Sequence, residues 1–200
     1  ELGMRRDEVM TNSHYRKFGR AMGIEFKGIY DENIGLHTGD GLGDKCSRIE
    51  SLARVGLRSI DDQMSVTNVH DLNAHAVKQY DTSLRAYKKH NGLFDFTDML
   101  EKYNSQLPVD ICIFDEAQDL SSAQYKMAII AASMASEVYI AGDDDQAIFG
   151  WAGADIDKFL NLKGQKIILP NSHRIPKKVH SLANDVVSRI KNRYPKTWEP

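Results

Sequence analysis

Two adjacent carboxylates directly follow a short apolar segment in the middle of the chain. Residues 111–114 are apolar, and Asp115-Glu116-Ala117-Gln118-Asp119 comes next. In an open parallel sheet, ligands bind outside the carboxyl ends of the strands. Phosphoryl transfer to water needs one carboxylate to hold Mg²⁺, usually through water, and a second to orient or deprotonate the attacking water. Asp115 and Glu116 could fill both roles, although such pairs are also common on solvated turns.

A second polar loop follows the next apolar segment, residues 137–141. Gly142 and three aspartates precede Gln146, whose neutral amide could contact a phosphate oxygen or the attacking water without adding charge. We therefore predict that Gln146 senses a γ-phosphate. The alternatives are a solvated turn or a weak cation site. A calcium loop is disfavoured, because the three aspartates lack the ligand spacing of such a loop.

Two aromatic residues and an arginine lie close to these loops in the sequence. Phe149 and Trp151 are flanked by glycines, and exposed rings in such a setting can stack on nucleobases, at about 1–3 kcal/mol for each stack. The alternative for both rings is burial in the core. Arg174 lies between an apolar segment and a helix. It could stabilise charge on a transferring phosphoryl group, or it could be an ordinary surface or capping arginine.

The elements that must position these residues follow from periodicity and from Gly and Pro positions. Residues 28–46 are glycine-rich and are predicted to be loop. Strands are predicted within residues 109–114, 137–141 and 166–169. Helices are predicted over residues 13–22, 47–57, 68–90, 121–134 and from Pro176 onward. Strands that alternate with helices predict an α/β fold with a parallel sheet covered on its faces.

Composition excludes several classes of protein. A formal net charge of −2 gives no overall basic character, so a contact with nucleic acid would have to be local. The two cysteines, Cys46 and Cys112, lie far apart, which disfavours a disulfide framework or a zinc site. No stretch approaches the roughly 20 apolar residues needed to span a bilayer. We expect a soluble protein of the reducing cytoplasm.

Three of these segments together resemble a known family. In order, residues 115–119, 142–151 and 169–174 are similar to motifs II, III and IV of the UvrD/Rep-type superfamily 1 helicases. Residues 94–100 also resemble the Asp-Phe-x-Asp-Leu-Leu stretch that precedes motif II. The resemblance implies a RecA-like P-loop NTPase fold and an ATP-driven DNA translocase, usually of 3′-to-5′ polarity, from a bacterium or a phage.

The resemblance also implies ligands and roles for individual residues. The expected cofactors are ATP and Mg²⁺, and the expected partners are single-stranded DNA and duplex junctions. Asp115 would bind Mg²⁺ and Glu116 would act as the catalytic base. The remaining implied contacts are Gln146 with the γ-phosphate, Arg174 as an arginine finger, Gln118 and His173 with the nucleotide, and Trp151, Phe149 and His14 with DNA.

The sequence departs from the family pattern at several positions. Ala152 stands where the family has arginine, and Ser172-His173-Arg174 replaces Asn-Tyr-Arg. In Thr11-Asn12-Ser13-His14, near motif Ib, Ser and His are transposed. The dipeptide Gly-Lys of a P-loop is lacking, and the glycine-rich residues 39–45 are acidic where phosphates would bind.

These departures shape the expected domain organisation. Because the family's P-loop lies upstream of these motifs, we expect that the chain is truncated before Glu1 and also lacks the second RecA-like domain. Residues 1–25 are predicted to lie near motif Ib, residues 26–90 to form a mostly helical insertion, and residues 91–200 to form the RecA-like core. The chain alone is then expected to be inactive. The alternatives are a non-catalytic module that binds single-stranded DNA or a partner, and part of a UvrD-like helicase-nuclease.

Overall fold

The computed structural model describes residues 5–32, 34–67, 69 and 71–200. Among these residues, the first half of the chain contains four α-helices and one small antiparallel pair of strands. These elements are α1 (Asn12–Met22), β1 (Tyr30–Asp31), β2 (Leu36–His37), α2 (Leu42–Val55), α3 (Ile60–Thr67) and α4 (Ala74–Asn91). The helices α2, α3 and α4 pack against one another.

Glycines end two of these helices at the predicted positions. Gly23 follows α1 with φ 66°, and Gly92 follows α4 with φ 64°. Both adopt the left-handed conformation that favours glycine after a helix. The helix predicted over residues 68–90 begins later, because the side chain of Asn73 accepts the N–H of His75 and caps α4 at that point. Residues 68 and 70 of that prediction lie outside the described residues.

The hydrophobic core of the first half is rich in aromatic rings. Phe18 of α1 lies edge-on to Tyr80 of α4, with ring centroids 5.4 Å apart and planes at 82°. Val77 and Leu84 of α4 are buried beside them. Val77, Tyr80 and Leu84 recur at intervals of three and four residues, so one face of α4 is buried, as expected of an amphipathic helix. Cys46 is a free, buried thiol, as is Cys112.

The prediction that residues 28–46 form a loop is wrong. This segment holds β1 and β2, and α2 begins at Leu42, five residues before the predicted start. The carboxylate of Asp44 accepts the N–H of Gly41 at 3.1 Å, so an acidic side chain supplies the N-terminal cap. Gly28 and Gly39 lie so close that a Cβ on Gly28 would collide with the backbone of Gly39. The glycines thus serve tight packing in this segment.

The second half of the chain alternates strands and helices. Its elements are α5 (Phe96–Lys102), β3 (Ile111–Phe114), α6 (Ser122–Ala131), β4 (Glu137–Ile140), α7 (Ile156–Leu160) and α8 (Lys177–Val187). Short 3₁₀ turns lie at Arg6–Glu8, Ala117–Asp119, Asp144–Gln146 and Gly150–Ala152. The strands β3 and β4 pair in parallel, with Ile111 opposite Glu137 and Phe114 opposite Ile140. The predicted parallel pairing is confirmed.

Two expectations about this sheet are wrong for the described part of the chain. Residues 166–169 form no strand there, and Ile167 and Leu169 are exposed. The faces of β3 and β4 are also largely uncovered, since only Cys112 of their eight residues is buried and Ile113 is 72% exposed. The helix α6 packs on α5 and α2. None of the described helices has the length and apolar character needed to cross a membrane.

A buried cluster of charges joins the two halves of the chain. Arg54 of α2 forms ion pairs with Asp95, Asp98 and Glu101, which lie before and within α5, and with Glu50 one helical turn away. Burial raises the pKa of Glu50 to about 7, because it outweighs the positive charge of Arg54, which lowers this pKa. Burial also opposes the ionisation of Asp95. The attraction of its carboxylate to Arg54 and to the buried Lys88 is stronger, so the pKa of Asp95 is lowered.

Candidate nucleotide and nucleic-acid site

The loops after β3 and β4 lie side by side at one edge of the parallel pair. The N–H of Ala141 donates to the carbonyl of Phe114 at 2.8 Å, and the N–H of Ala117 donates to the carbonyl of Ala141 at 3.0 Å. The hydrogen-bond ladder between β3 and β4 therefore continues one step past the ends of the strands. It places Asp115 and Glu116 next to the loop that begins at Gly142.

Gln118 connects the two loops directly. Its side chain is buried, with 2% of the residue exposed. Its Oε1 accepts the N–H of Asp143 at 3.1 Å, and its Nε2 donates to Oε2 of Glu116 at 2.8 Å. A Cβ on Gly142 would lie 2.6 Å from Oε1 of Gln118, so only glycine allows this approach. Gln118 thus fixes the Glu116 carboxylate relative to the second loop.

Glu116 has an unusual backbone conformation. Its φ of 52° and ψ of 38° lie in the left-handed region, which disfavours residues that have a Cβ. Its N–H donates to Oδ1 of Asp115 at 2.9 Å, and the hydroxyl of Tyr125 donates to the carbonyl of Ala117 at 2.5 Å. Strain of this kind occurs mostly at functional sites, where surrounding contacts hold it in place. Both the Asp115 and Glu116 side chains are exposed and accessible to a ligand.

The three aspartates of the second loop are paired with cations from the end of the chain. Lys196 contacts all three carboxylates, with its Nζ 2.7 Å from Asp143 and 3.2 Å from Asp145. Arg193 donates to both oxygens of Asp145, at 2.8 and 2.6 Å. The backbone N–H of Tyr194 donates to Asp144 at 2.6 Å. In this structure the loop is therefore not a solvated turn, because its carboxylates are paired with cations of the chain itself.

Arg193 and Lys196 are the residues of this site that sequence reasoning missed. They lie about 50 residues from their partners, and only charge complementarity to three consecutive aspartates could have indicated them. Burial opposes ionisation of Asp143, but the hydrogen bonds from Lys196 and Gln146 outweigh it, and the pKa of Asp143 is lowered. The Nε2 of Gln146 donates to Oδ2 of Asp143 at 2.6 Å. Lys196 and Gln146 thus both donate hydrogen bonds to the carboxylate of Asp143.

The aromatic residues after this loop are accessible. Trp151 is 61% exposed and Phe149 is also exposed, with their ring centroids 6.5 Å apart at 46°. Neither ring is in the core, which was the alternative to stacking. His14 lies elsewhere, at the start of α1, where its Nδ1 accepts the N–H of Thr11 at 3.1 Å. In this structure, the His14 side chain therefore caps the N-terminus of α1.

His173 and Arg174 are exposed. Their segment is held by the end of the chain, since the N–H of Ser172 donates to the carbonyl of Glu199 at 2.7 Å. In the described part of the chain, no hydrogen bond or ion pair joins either side chain to Asp115 or Glu116. Hydrogen bonds thus link Asp115, Glu116, Gln118 and, through Asp143, Gln146, and none within the described residues extends to His173 or Arg174.

The glycine-rich residues 39–45 cannot serve as a phosphate loop in this structure. The Asp44 carboxylate is fully buried and accepts the N–H groups of Lys27 at 2.8 Å, Gly28 at 3.2 Å and Gly41 at 3.1 Å. A phosphate would need free backbone N–H groups of this kind. The acidic side chain occupies them instead, in agreement with the rejection of this segment as a P-loop.

Comparisons with known proteins identify relatives of the chain. The family model described as the UvrD/REP helicase N-terminal domain matches residues 45–166. A probable DNA helicase of Mycoplasma pneumoniae is 33% identical over 138 residues, which cover 59% of this chain and 26% of that protein. The ATP-dependent DNA helicase PcrA of Staphylococcus aureus is 36% identical over 87 residues, covering 41% and 12%. DNA helicase II of Haemophilus influenzae is 27% identical over 157 residues, covering 68% and 21%. The chain thus spans 12 to 26% of the length of these relatives.

Proposed function

Because the chain belongs to the UvrD/REP helicase family, we propose that it forms part of an ATP-dependent DNA helicase. In this proposal, ATP hydrolysis drives movement along single-stranded DNA and the unwinding of duplexes, with 3′-to-5′ polarity. The observation that carries the proposal is the junction between the loops after β3 and β4. There Gln118 connects the carboxylate of Glu116 to the backbone of Asp143. In this proposal, the junction links the catalytic carboxylate of Glu116 to the loop whose Gln146 senses the γ-phosphate.

The proposed catalytic roles follow from accessibility and charge. Bound ATP and Mg²⁺ supply the reacting phosphate and the charge that neutralises it. Asp115 would hold Mg²⁺, usually through water, and Glu116 would take a proton from the attacking water. The donor set fits the metal, because Mg²⁺ usually keeps several waters and takes only one or two protein carboxylates together with phosphate oxygens. Gln146 would contact the γ-phosphate.

The remaining assignments rest on the family and on the placement of segments. We propose that residues 91–200 form a RecA-like ATPase core, residues 26–90 an inserted helical segment, and residues 1–25 a part near motif Ib. The parallel β3–β4 pair, with polar loops at its carboxyl ends, supports the first of these. The roles of Gln118 and His173 at the nucleotide, of Arg174 as arginine finger, and of Trp151, Phe149 and His14 at DNA stay predictions.

A second candidate function is a non-catalytic module that binds single-stranded DNA. One observation favours it. Trp151 is exposed and available for stacking. The two candidates differ in whether ATP turnover depends on Glu116.

The experiment is a glutamine substitution in the complete gene product that contains these residues. Glu116→Gln removes the base and should lower kcat for DNA-stimulated ATP hydrolysis about 10²- to 10⁴-fold. Glu137→Gln, the same change at the opposite end of the sheet, is the matched control and should retain activity. The 200-residue chain alone should show no turnover. If Glu116→Gln keeps the activity of Glu137→Gln, the proposed catalytic role is wrong.

A further inference from the structure

The closing segment, residues 192–199, lies against the loop after β4 and is held at both of its ends. At its start, the side chain of Asn192 donates a hydrogen bond to a carboxylate of α7 at 2.6 Å. Near its end, the N–H of Glu199 donates to the carbonyl of Pro170 at 2.6 Å. Lys196 lies between these two contacts, so its backbone has a defined position relative to the loop.

The carboxylate of Asp143 binds Lys196 with one oxygen and Gln146 with the other. Its Oδ1 accepts a hydrogen bond from Nζ of Lys196 at 2.7 Å, and its Oδ2 accepts one from Nε2 of Gln146 at 2.6 Å. The backbone N–H of Asp143 donates to Oε1 of Gln118 at 3.1 Å. Asp143 therefore connects the closing segment to two residues that are proposed to act at the nucleotide.

The contact with Asp143 determines which way the Gln146 amide faces. An ionised carboxylate can only accept hydrogen bonds, so the NH₂ group of the amide must face Asp143 and the amide oxygen must face elsewhere. Gln146 is exposed, and its Oε1 accepts no hydrogen bond from any of the described residues. One N–H and the oxygen of this amide thus remain for a ligand. The N–H can donate to a phosphate oxygen, and the oxygen can accept from the attacking water.

Lys196 is the cation that balances the charge of Asp143. Its side chain is 14% exposed, and its Nζ also contacts Asp144 and, at 3.2 Å, Asp145. Arg193 forms its ion pair with Asp145, at 2.6 Å. Within the described residues, Lys196 is therefore the one cation paired with Asp143. Without it, three consecutive carboxylates would face a single cation, and their mutual repulsion would displace the Asp143 carboxylate from the amide that it orients.

We propose that Lys196 is a positioning residue for ATP hydrolysis, because its ion pair with Asp143 holds the Gln146 amide in the orientation that the γ-phosphate and the attacking water require. The inference rests on the proposed function and gives the closing segment a part in it. Lys196 does not itself contact the nucleotide and acts through Asp143. The effect of removing Lys196 on hydrolysis should therefore depend on the presence of the Gln146 amide.

The test is a double-mutant cycle on DNA-stimulated ATP hydrolysis by the complete gene product that contains these residues. Lys196→Met should lower kcat/KM about tenfold, the low end of the loss on removing an outer partner of a site residue. In a Gln146→Ala background, the same change should alter kcat/KM by less than about twofold, because the amide that Lys196 orients is gone. Lys196→Arg keeps the charge and should retain more activity than Lys196→Met.

A second measurement observes the amide directly, without nucleotide. In the 200-residue chain with ¹⁵N-labelled glutamine, the side-chain amide of Gln146 is identified as the NMR signal that Gln146→Ala removes. The hydrogen bond to Asp143 should slow its exchange with water, and Lys196→Met should accelerate this exchange several-fold. Urea unfolding checks that each variant folds.

The matched control is Lys191→Met, which removes an exposed lysine five positions before Lys196. It should leave both the exchange rate of the Gln146 amide and kcat/KM close to those of the unsubstituted protein. The control therefore separates the loss of this particular ion pair from a general loss of positive charge near the end of the chain.

The outcomes separate the inference from the proposed function. If Lys196→Met lowers kcat/KM equally with and without the Gln146 amide, the positioning role is refuted, although the proposed function stands. The same holds if Lys196→Met behaves like Lys191→Met in both measurements. If Lys196→Arg loses as much activity as Lys196→Met, the role of the charge is refuted. If the unsubstituted gene product hydrolyses no ATP, the proposed function and the catalytic part of the inference both fail, whereas the exchange rates still show whether Lys196 orients the amide.

Discussion

Replacing Arg54 with methionine should destabilise the fold by about 3–5 kcal/mol, because the change leaves buried carboxylates without their main cation. The Arg54 side chain is only 6% exposed. It lies 3.1 Å from Glu50, 2.9 Å from Asp95, 2.7 Å from Asp98 and 2.9 Å from Glu101. Methionine keeps most of the apolar part of the arginine side chain, so the loss of stability reports on the missing charge more than on packing.

The magnitude follows from the charges in the cluster. Four carboxylates surround Arg54, and Lys88 is the second cation, 2.5 Å from Asp95 and 2.7 Å from Asp98. Without Arg54, one lysine would face the four acidic groups. A domain is stable by about 5–15 kcal/mol in total, so this loss removes a large part of it. Protonation of these carboxylates relieves the repulsion between them. The loss of stability caused by Arg54→Met should therefore become smaller toward pH 5.

The assay is urea unfolding followed by far-UV circular dichroism at pH 7.5 and pH 5. Arg85→Met is the matched control, because Arg85 is 48% exposed, pairs with Asp81 one turn away and reaches only Glu101, the most exposed carboxylate of the cluster, at 4.0 Å. An exposed pair of this kind contributes less than about 1 kcal/mol. If Arg54→Met lies within about 1 kcal/mol of Arg85→Met at pH 7.5, the cluster does not hold the two halves together as described.

Three further predictions concern single residues. Burial raises the pKa of Glu50 to about 7, so this group favours folding at low pH and that contribution is lost as pH rises from about 4.5 through 7. Glu50→Gln should therefore make the urea midpoint less dependent on pH over this range, and an unchanged pH profile would contradict the raised pKa. Leu57 is exposed at φ 54°, so Leu57→Gly should raise the free energy of unfolding by about 1 kcal/mol in the same assay, and a loss would argue against left-handed strain there. Lys196→Met removes the cation beside Asp143, whose pKa should rise in a carboxyl NMR titration; an unchanged value would show that the ion pair does not form in solution.

The sequence alone determined those features that depend on neighbouring residues. Gly23 and Gly92 end helices because they adopt the left-handed conformation, which is a local property. The apolar runs before Asp115 and Asp143 identify two strands, and the polar residues that follow them lie at one edge of the sheet. The motif order also indicated the family that the comparisons identify. The chemical roles of Asp115 and Glu116 stay predictions.

Tertiary structure alone decided the contacts between distant segments. Lys196 and Asp143 are 53 positions apart, and Arg54 and Asp95 are 41 apart. No periodicity relates such pairs, because their meeting depends on the path of the whole chain. The start of α2 was also not predicted, because the Asp44 carboxylate there accepts the N–H groups of Lys27 and Gly28, which lie 17 and 16 positions earlier.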